Sequence, residues 1–136
     1  MEITNALEFM RTNHRAVLHT FRRDGSPQLS PVTVAVDGGG RAVISSRATA
    51  AKTRNLLRDP RAALCVLNDK FFGEWRVVSG WCEVVHLPDA MDGLVEYYRA
   101  VAGEHPDWDD YRAAMVRDQR VLLRITVEYA GPNVSG

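Results

Sequence analysis

Apolar residues recur at every second position in several short segments of this chain, as they do in strands that bury one face. The clearest cases are 28–37 (QLSPVTVAVD) and 120–128 (RVLLRITVE). Further strand-like segments lie at 15–23, 41–46, 61–67 and 75–87. The pattern therefore predicts six strands, and Gly80 inside 75–87 predicts a bulge.

Helical spacing occurs at four places outside these strands. The segment 50–58 forms a short helix, and 88–102 carries apolar residues at i, i+3, i+4 and i+7. One further helix lies near the start of the chain and another opens at Pro106. The turns that join the first three strands are too short for a crossover, so these strands pair antiparallel. The chain is thus predicted to be one mainly β domain over 1–136, a small closed antiparallel barrel with short helices around it.

Composition argues against several classes of function. The 136 residues include 17 Lys+Arg and 17 Asp+Glu, and a chain without net charge is not expected to bind nucleic acid. No apolar run approaches the ~18 residues of a membrane span, and the start of the chain lacks a signal-peptide pattern, which predicts a cytoplasmic protein. Cys65 and Cys82 have no partners at metal-binding spacing, so neither a disulfide nor a metal site is expected.

The basic residues are strongly biased towards arginine. Fifteen of the 17 are arginine, and the only lysines are Lys52 and Lys70. Arginine codons are GC-rich, so the bias is typical of a bacterium with a GC-rich genome. Because lysine is not used as a general surface residue, each lysine is a stronger candidate for a functional role.

The densest group of polar residues lies at 45–54 (SSRATAAKTR), where the third predicted strand passes into a helix. Thr49 is the predicted N-cap, and Lys52 falls in the first turn. A helix N-terminus presents unpaired N–H groups and the positive end of the dipole, so anions bind there. A lysine at this position opposes the dipole unless an anion compensates it. The junction is therefore either a phosphate or carboxylate site or a capped surface helix with solvated basic residues.

Other candidate features favour structural roles. The glycines 38–40 join two strands and are interpreted as a turn. The four histidines are scattered without a carboxylate or cysteine at useful spacing, and no nucleophile elbow GxSxG is present. The aromatic residues of the second half are interpreted first as core or interface: Trp75, Trp81, Tyr97, Tyr98, Trp108 and Tyr111. A planar cofactor between two subunits, with its phosphate in one and an aromatic wall from the other, is the alternative.

A resemblance to a known family rests on two segments. The run 52–62 (KTRNLLRDPRA), after the turn 24–28 (DGSPQ), resembles the split-barrel flavin-binding family related to pyridoxamine 5'-phosphate oxidase. The runs 102–112 (AGEHPDWDDYR) and 120–123 (RVLL) resemble its actinobacterial branch of oxidoreductases that depend on the deazaflavin coenzyme F420. The match extends from about Arg15 to Val127.

The resemblance implies a six-stranded split barrel that acts as a homodimer, with two cofactor sites at the dimer interface. It implies that Lys52 holds the cofactor phosphate, with Ser45, Ser46, Arg47 and Thr53 beside it. The residues that it places at the ring system are Ser30, Pro31, Val32 and Trp75.

The implied function is an F420-dependent oxidoreductase that passes a hydride from the reduced deazaflavin to an electron-poor small molecule, such as a conjugated enone, a quinone or a tetrapyrrole. No residue is identified as a general acid. Many relatives carry a second basic residue two positions before the lysine, where this chain has Ala50. Arg47 or Arg54 is the candidate substitute.

Three alternatives remain. The first is an FMN-dependent enzyme like pyridoxamine 5'-phosphate oxidase, since FMN also offers a tricyclic ring and a phosphate. The others are a non-catalytic flavin- or deazaflavin-binding protein and a structural dimer with an empty groove. The deazaflavin has a longer acidic tail than FMN, so a basic groove leading away from Lys52 would favour F420. Arg47, Arg54 and Arg58 are the predicted residues of that groove.

Overall fold

The computed structural model describes residues 1–133 and contains each strand and helix that the periodicity predicts. The strands are β1 (Arg15–Phe21), β2 (Pro27–Thr33), β3 (Ala35–Val36), β4 (Ala42–Arg47), β5 (Arg61–Leu67), β6 (Trp75–Val85) and β7 (Arg120–Gly131). The helices are α1 (Ile3–Thr12), α2 (Ala51–Arg58), α3 (Met91–Ala102) and α4 (Trp108–Arg117). None of these helices is long and apolar enough to cross a membrane.

The strands form one antiparallel sheet in the order β2-β1-β5-β6-β7-β4-β3. Its two end strands, β2 and β3, are consecutive in the chain and are separated only by Val34. One stretch of chain therefore pairs with β1 at its start and with β4 at its end. This arrangement curls the sheet round on itself, as expected of a split barrel, but within residues 1–133 no ladder joins β2 to β3, so the sheet is not closed as predicted.

The predicted strand 28–37 is interrupted, so the sheet has seven strands instead of six. The break falls at Val34, whose N–H donates to the carbonyl of His14 at 2.8 Å. The Nδ1 atom of His14 lies 2.8 Å from the carbonyl oxygen of Val34. Because His14 engages both backbone groups of Val34, this residue leaves the ladder and the chain bends towards β4.

The predicted bulge at Gly80 is confirmed. The register between β6 and β7 shifts between Ser79 and Gly80. A Cβ atom at Gly80 would lie 1.8 Å from the backbone oxygen of Thr126, so only glycine allows β7 to approach this closely. The glycines 38–40 lie in the turn between β3 and β4, also as predicted, and Gly40 has φ +75°.

Apolar side chains are buried on both surfaces of the curled sheet. The interior cluster includes Leu18, Ile44, Leu64, Leu123 and Ile125, together with Met10 of α1. A second cluster packs α3 and α4 against the outer face of β4 and β7, and it includes Val43, Leu94, Tyr111, Met115 and Leu122. These helices pack on one part of the outer face, and the candidate site lies where the helices meet the exposed part of the sheet.

Candidate functional site

The strand-to-helix junction differs from the prediction at the helix cap. Ala50, not Thr49, occupies the N-cap position of α2, and no side chain caps it. The N–H of Ala50 donates to the carbonyl of Arg47 at 3.1 Å, so a turn lies between β4 and the helix and moves its start by one residue. The first N–H groups of α2 are therefore not capped by a side chain and can interact with an anion.

Two buried hydroxyls fix the helix to the end of β4. The Oγ atoms of Ser46 and Thr53 lie 2.9 Å apart, and Thr53 Oγ1 donates to the carbonyl of Arg47 at 2.7 Å. Ser46 and Thr53 are 1% and 0% exposed, so both lie beneath the junction. Their contacts position the first turn of α2, which carries Lys52.

A groove of about 650 Å³ opens beside this junction. It lies between β2, β4, the first turn of α2, the helices α3 and α4, and the start of β7. Its lining consists of Pro31, Val32, Thr33, Ser45, Lys52, Tyr97, Tyr98, Tyr111, Met115 and Arg120. Four of the predicted site residues, Pro31, Val32, Ser45 and Lys52, thus come together in one place.

The other predicted site residues lie outside this lining. Ser30 pairs with the fully buried Leu18, so strand alternation turns its side chain into the barrel, where its Oγ has no hydrogen-bond partner. Arg47 is exposed at the end of β4, and Ser46 and Thr53 are buried beneath the junction.

Trp75 is remote from the groove within one chain. It pairs with Leu67 on β5, which pairs with Arg15 on β1, which pairs with Thr33 on β2. Three strand spacings therefore separate Trp75 from the groove. Its assignment to the ring system stays a prediction that requires a second copy of the chain.

Three tyrosines line the groove within the same chain as Lys52, whereas the sequence had suggested an aromatic wall from another subunit. Tyr97 Oη donates to the carbonyl of Thr33 at 2.9 Å, and Tyr111 Oη donates to the carbonyl of Leu94 at 2.8 Å. Burial raises the pKa of Tyr97 and raises the pKa of Tyr111 to about 12. Both phenols are therefore neutral hydrogen-bond donors at physiological pH.

Arg120 is the lining residue that sequence reasoning missed. It begins β7, directly opposite Arg47 on β4, and its Nε atom is buried without a hydrogen-bond partner. Neither Lys52 nor Arg120 forms an ion pair within residues 1–133, and none of the ten lining residues is acidic. A clue was available in the sequence, since the second basic residue expected near Lys52 is replaced by Ala50.

A separate cleft of about 350 Å³ lies on the neighbouring face of α2. We call it the arginine cleft; it is lined by Arg22, Arg23, Gln28, Ala51, Arg54, Asn55 and Arg58. Arg22 donates to the carbonyl of Pro27 at 2.7 Å, and Arg58 donates to the carbonyl of Phe21 at 2.6 Å. Four guanidinium groups thus share a cleft whose lining contains no carboxylate. Of the predicted basic groove, Arg54 and Arg58 lie here, and Arg47 does not.

Comparison with known proteins identifies the family. A family model described as pyridoxamine 5'-phosphate oxidase matches residues 4–132. The chain belongs to the pyridoxamine 5'-phosphate oxidase family. The curled antiparallel sheet is the split barrel of that family, whose fold binds flavins, so the resemblance noted in the sequence is confirmed.

Several solved structures share the fold of this chain. One is the conserved hypothetical protein Rv2991 from Mycobacterium tuberculosis, with 24% identity and a TM-score of 0.76 over 100% of this chain and 92% of that one. Another is an F420 reductase, with 21% identity and a TM-score of 0.70 over 91% and 94% of the two chains. A heme binding protein from Mycobacterium smegmatis has 21% identity and a TM-score of 0.66 over 92% and 52%. At these identities the likeness concerns the fold alone.

The groove of this family member fits a flavin that carries a phosphate. Lys52 and Arg120 provide unpaired positive charge, and Arg120 has an orphaned buried N–H. Pro31 and Met115 provide apolar surface, and the tyrosines provide aromatic faces. A phosphate and a flat tricyclic ring need these two kinds of surface in one groove.

Proposed function

We propose that this protein is an F420-dependent oxidoreductase that reduces an electron-poor small molecule. The observation that carries the proposal is the groove, in which unpaired cations stand beside apolar and aromatic side chains. When bound, the deazaflavin supplies the hydride, and the protein supplies its binding and orientation. The structural neighbour named F420 reductase supports this choice of coenzyme.

Each part of the groove has a separate task in this proposal. Lys52 binds the phosphate, and the Ser46–Thr53 contact beneath it keeps the helix start in place. Pro31 packs against the ring system and excludes water from it. The phenol of Tyr97 remains neutral, so it does not repel the anionic ligand.

The arginine cleft favours F420 over FMN. The deazaflavin coenzyme carries an acidic tail beyond its phosphate, and FMN has no such tail. Ala51 lines the cleft and the adjacent Lys52 lines the groove, so the two sites share the first turn of α2. A ligand with its phosphate at Lys52 could therefore extend its carboxylates towards Arg54.

Titration of the protein with F420 and, separately, with FMN tests the coenzyme assignment through ligand fluorescence. We expect micromolar binding of F420 and weaker binding of FMN. Arg54→Gln is expected to weaken F420 about threefold, as for an exposed ion pair, and to leave FMN unchanged. Arg112→Gln, an exposed arginine of α4, is the matched control. A preference for FMN would assign the protein to an FMN-dependent reaction. Binding of neither F420 nor FMN would refute both enzyme assignments.

We also propose that the protein is a homodimer whose interface adjoins the groove. The outward positions of β2, β1, β5 and β6 are mostly apolar, and no helix of the second cluster covers them. They include Leu29 and Pro31, Val17 and Phe21, Ala63 and Cys65, and Val77 and Trp81. Leu29 and Trp81 are 62% and 49% exposed, and they extend one apolar face across neighbouring strands. Pro31 belongs both to this face and to the groove.

Ala63→Arg is expected to weaken the dimer by about tenfold or more, because it buries an unpaired charge and its symmetry mate in the proposed interface. Ala113→Arg, the same change on the exposed face of α4, is the control. Sedimentation velocity over a range of concentrations measures both. A monomeric wild-type protein, or a dimer that tolerates Ala63→Arg, would contradict this interface.

A further inference from the structure

We propose that Arg120 is the second cation that holds the ligand phosphate, acting together with Lys52 in the groove. The resemblance noted in the sequence implies a second basic residue near Lys52, and this chain has Ala50 at the expected position. The inference rests on the proposed function in one respect, since it assigns a phosphate-bearing ligand to the groove. Arg47 and Arg54, the candidates from the sequence, lie outside the groove lining.

The backbone around Arg120 is tied to the junction that carries Lys52. Gln119 has φ +53°, a left-handed turn that ends α4 and directs the chain into β7 at Arg120. The carbonyl of Gln119 accepts the N–H of Ala48 at 2.8 Å. The two cations therefore come from segments that are hydrogen-bonded to each other, although they lie far apart in the sequence.

The surroundings of Arg120 lack the negative charge that an arginine in this position requires. Its Nε atom is buried without a partner, and within residues 1–133 its guanidinium forms no ion pair. Arg47 lies directly opposite on β4, and like charges at paired positions of antiparallel strands are destabilising. An anion in the groove would satisfy the orphaned N–H and reduce the repulsion between the two arginines.

The guanidinium of Arg120 lies near the tyrosines that line the groove. The positive charge of Arg120 opposes the rise that burial causes in the pKa of Tyr97 and of Tyr111. Tyr97 is anchored to Thr33 on β2 and lines the groove, so Arg120 lies near the tyrosines of the groove wall. A phosphate in the groove would thus meet two cations, Lys52 and Arg120.

The test compares each phosphate-bearing ligand with a ligand that has the same ring system but no phosphate. The affinities of wild-type protein and Arg120→Gln are measured for FMN and riboflavin, and for F420 and its phosphate-free chromophore. We expect Arg120→Gln to weaken the phosphate-bearing ligands about tenfold and to leave the phosphate-free ligands unchanged. Arg117→Gln, an exposed arginine of α4 outside the groove, is the matched control and should change neither.

Two further readouts keep the inference separate from the coenzyme assignment. Inorganic phosphate alone should raise the Tm of the wild-type protein and raise that of Arg120→Gln much less. If neither flavin binds the wild-type protein, the proposed function is wrong, and the phosphate measurement still decides the role of Arg120. Without ligand, Arg120→Gln should be at least as stable as wild type, since it removes the repulsion with Arg47. The inference would be overturned if inorganic phosphate raised the Tm of both proteins equally. It would also be overturned if Arg120→Gln weakened the ligands with and without a phosphate to the same extent.

Discussion

Lys52→Ala is expected to weaken the binding of F420 about 100-fold. Lys52 lines the groove and forms no ion pair within residues 1–133, so its charge is available to the ligand. A hydrogen bond to a charged group contributes about 1.5–3 kcal/mol, and 100-fold corresponds to about 2.7 kcal/mol. Ligand fluorescence during titration measures the change. The fold should persist, because alanine is a better helix former than lysine.

The chain offers one natural control for this substitution. Lys70 is the only other lysine, and it is exposed in the loop between β5 and β6, away from the groove lining. Lys70→Ala removes the same charge and should leave the dissociation constant for F420 unchanged. Equal affinities of Lys52→Ala and wild-type protein would show that the phosphate does not bind at this junction, and the groove would then lack its assigned ligand.

Local patterns were sufficient to predict most of the fold. Apolar patterns located the six predicted strand segments, and Gly80 marked the bulge, because both signals depend on near neighbours in the sequence. The break at Val34 was not predictable in this way. It depends on His14, which lies 20 residues earlier and engages both backbone groups of Val34. Without that contact, the run 28–37 has the pattern of one uninterrupted strand.

Only the part of the candidate site formed by β2, β4 and α2 was predictable from the sequence. The motif around Lys52 identified the junction, but it could not show that strand alternation points Ser30 into the barrel and Pro31 towards the groove. Tyr97 reaches the groove through the packing of α3 on the outer face of the sheet, and Arg120 reaches it through the pairing of β7 with β4. Both contacts are tertiary, so neither residue has a local sequence signal that connects it to Lys52.

Gly80→Ala is expected to destabilise the protein by about 3 kcal/mol, since overpacking against backbone atoms costs about 1–3 kcal/mol and occasionally more. The new Cβ atom would lie 1.8 Å from the backbone oxygen of Thr126 and 2.8 Å from its carbonyl carbon. These are backbone atoms of β7, so relief requires β6 and β7 to separate at the bulge. Urea unfolding followed by tryptophan fluorescence measures the loss in the free energy of unfolding.

Gly38→Ala is the matched control for this prediction. A Cβ atom at Gly38 would meet Glu96 Oε1 at 3.7 Å, an ordinary contact, so a change within about 0.5 kcal/mol is expected. If Gly80→Ala were as stable as Gly38→Ala, the two strands would not be held together at the bulge. Because β7 also carries Arg120, a separation at Thr126 that reached the start of the strand would lower F420 affinity along with stability. A loss of stability without a loss of F420 affinity would show that the structural change is limited to the bulge.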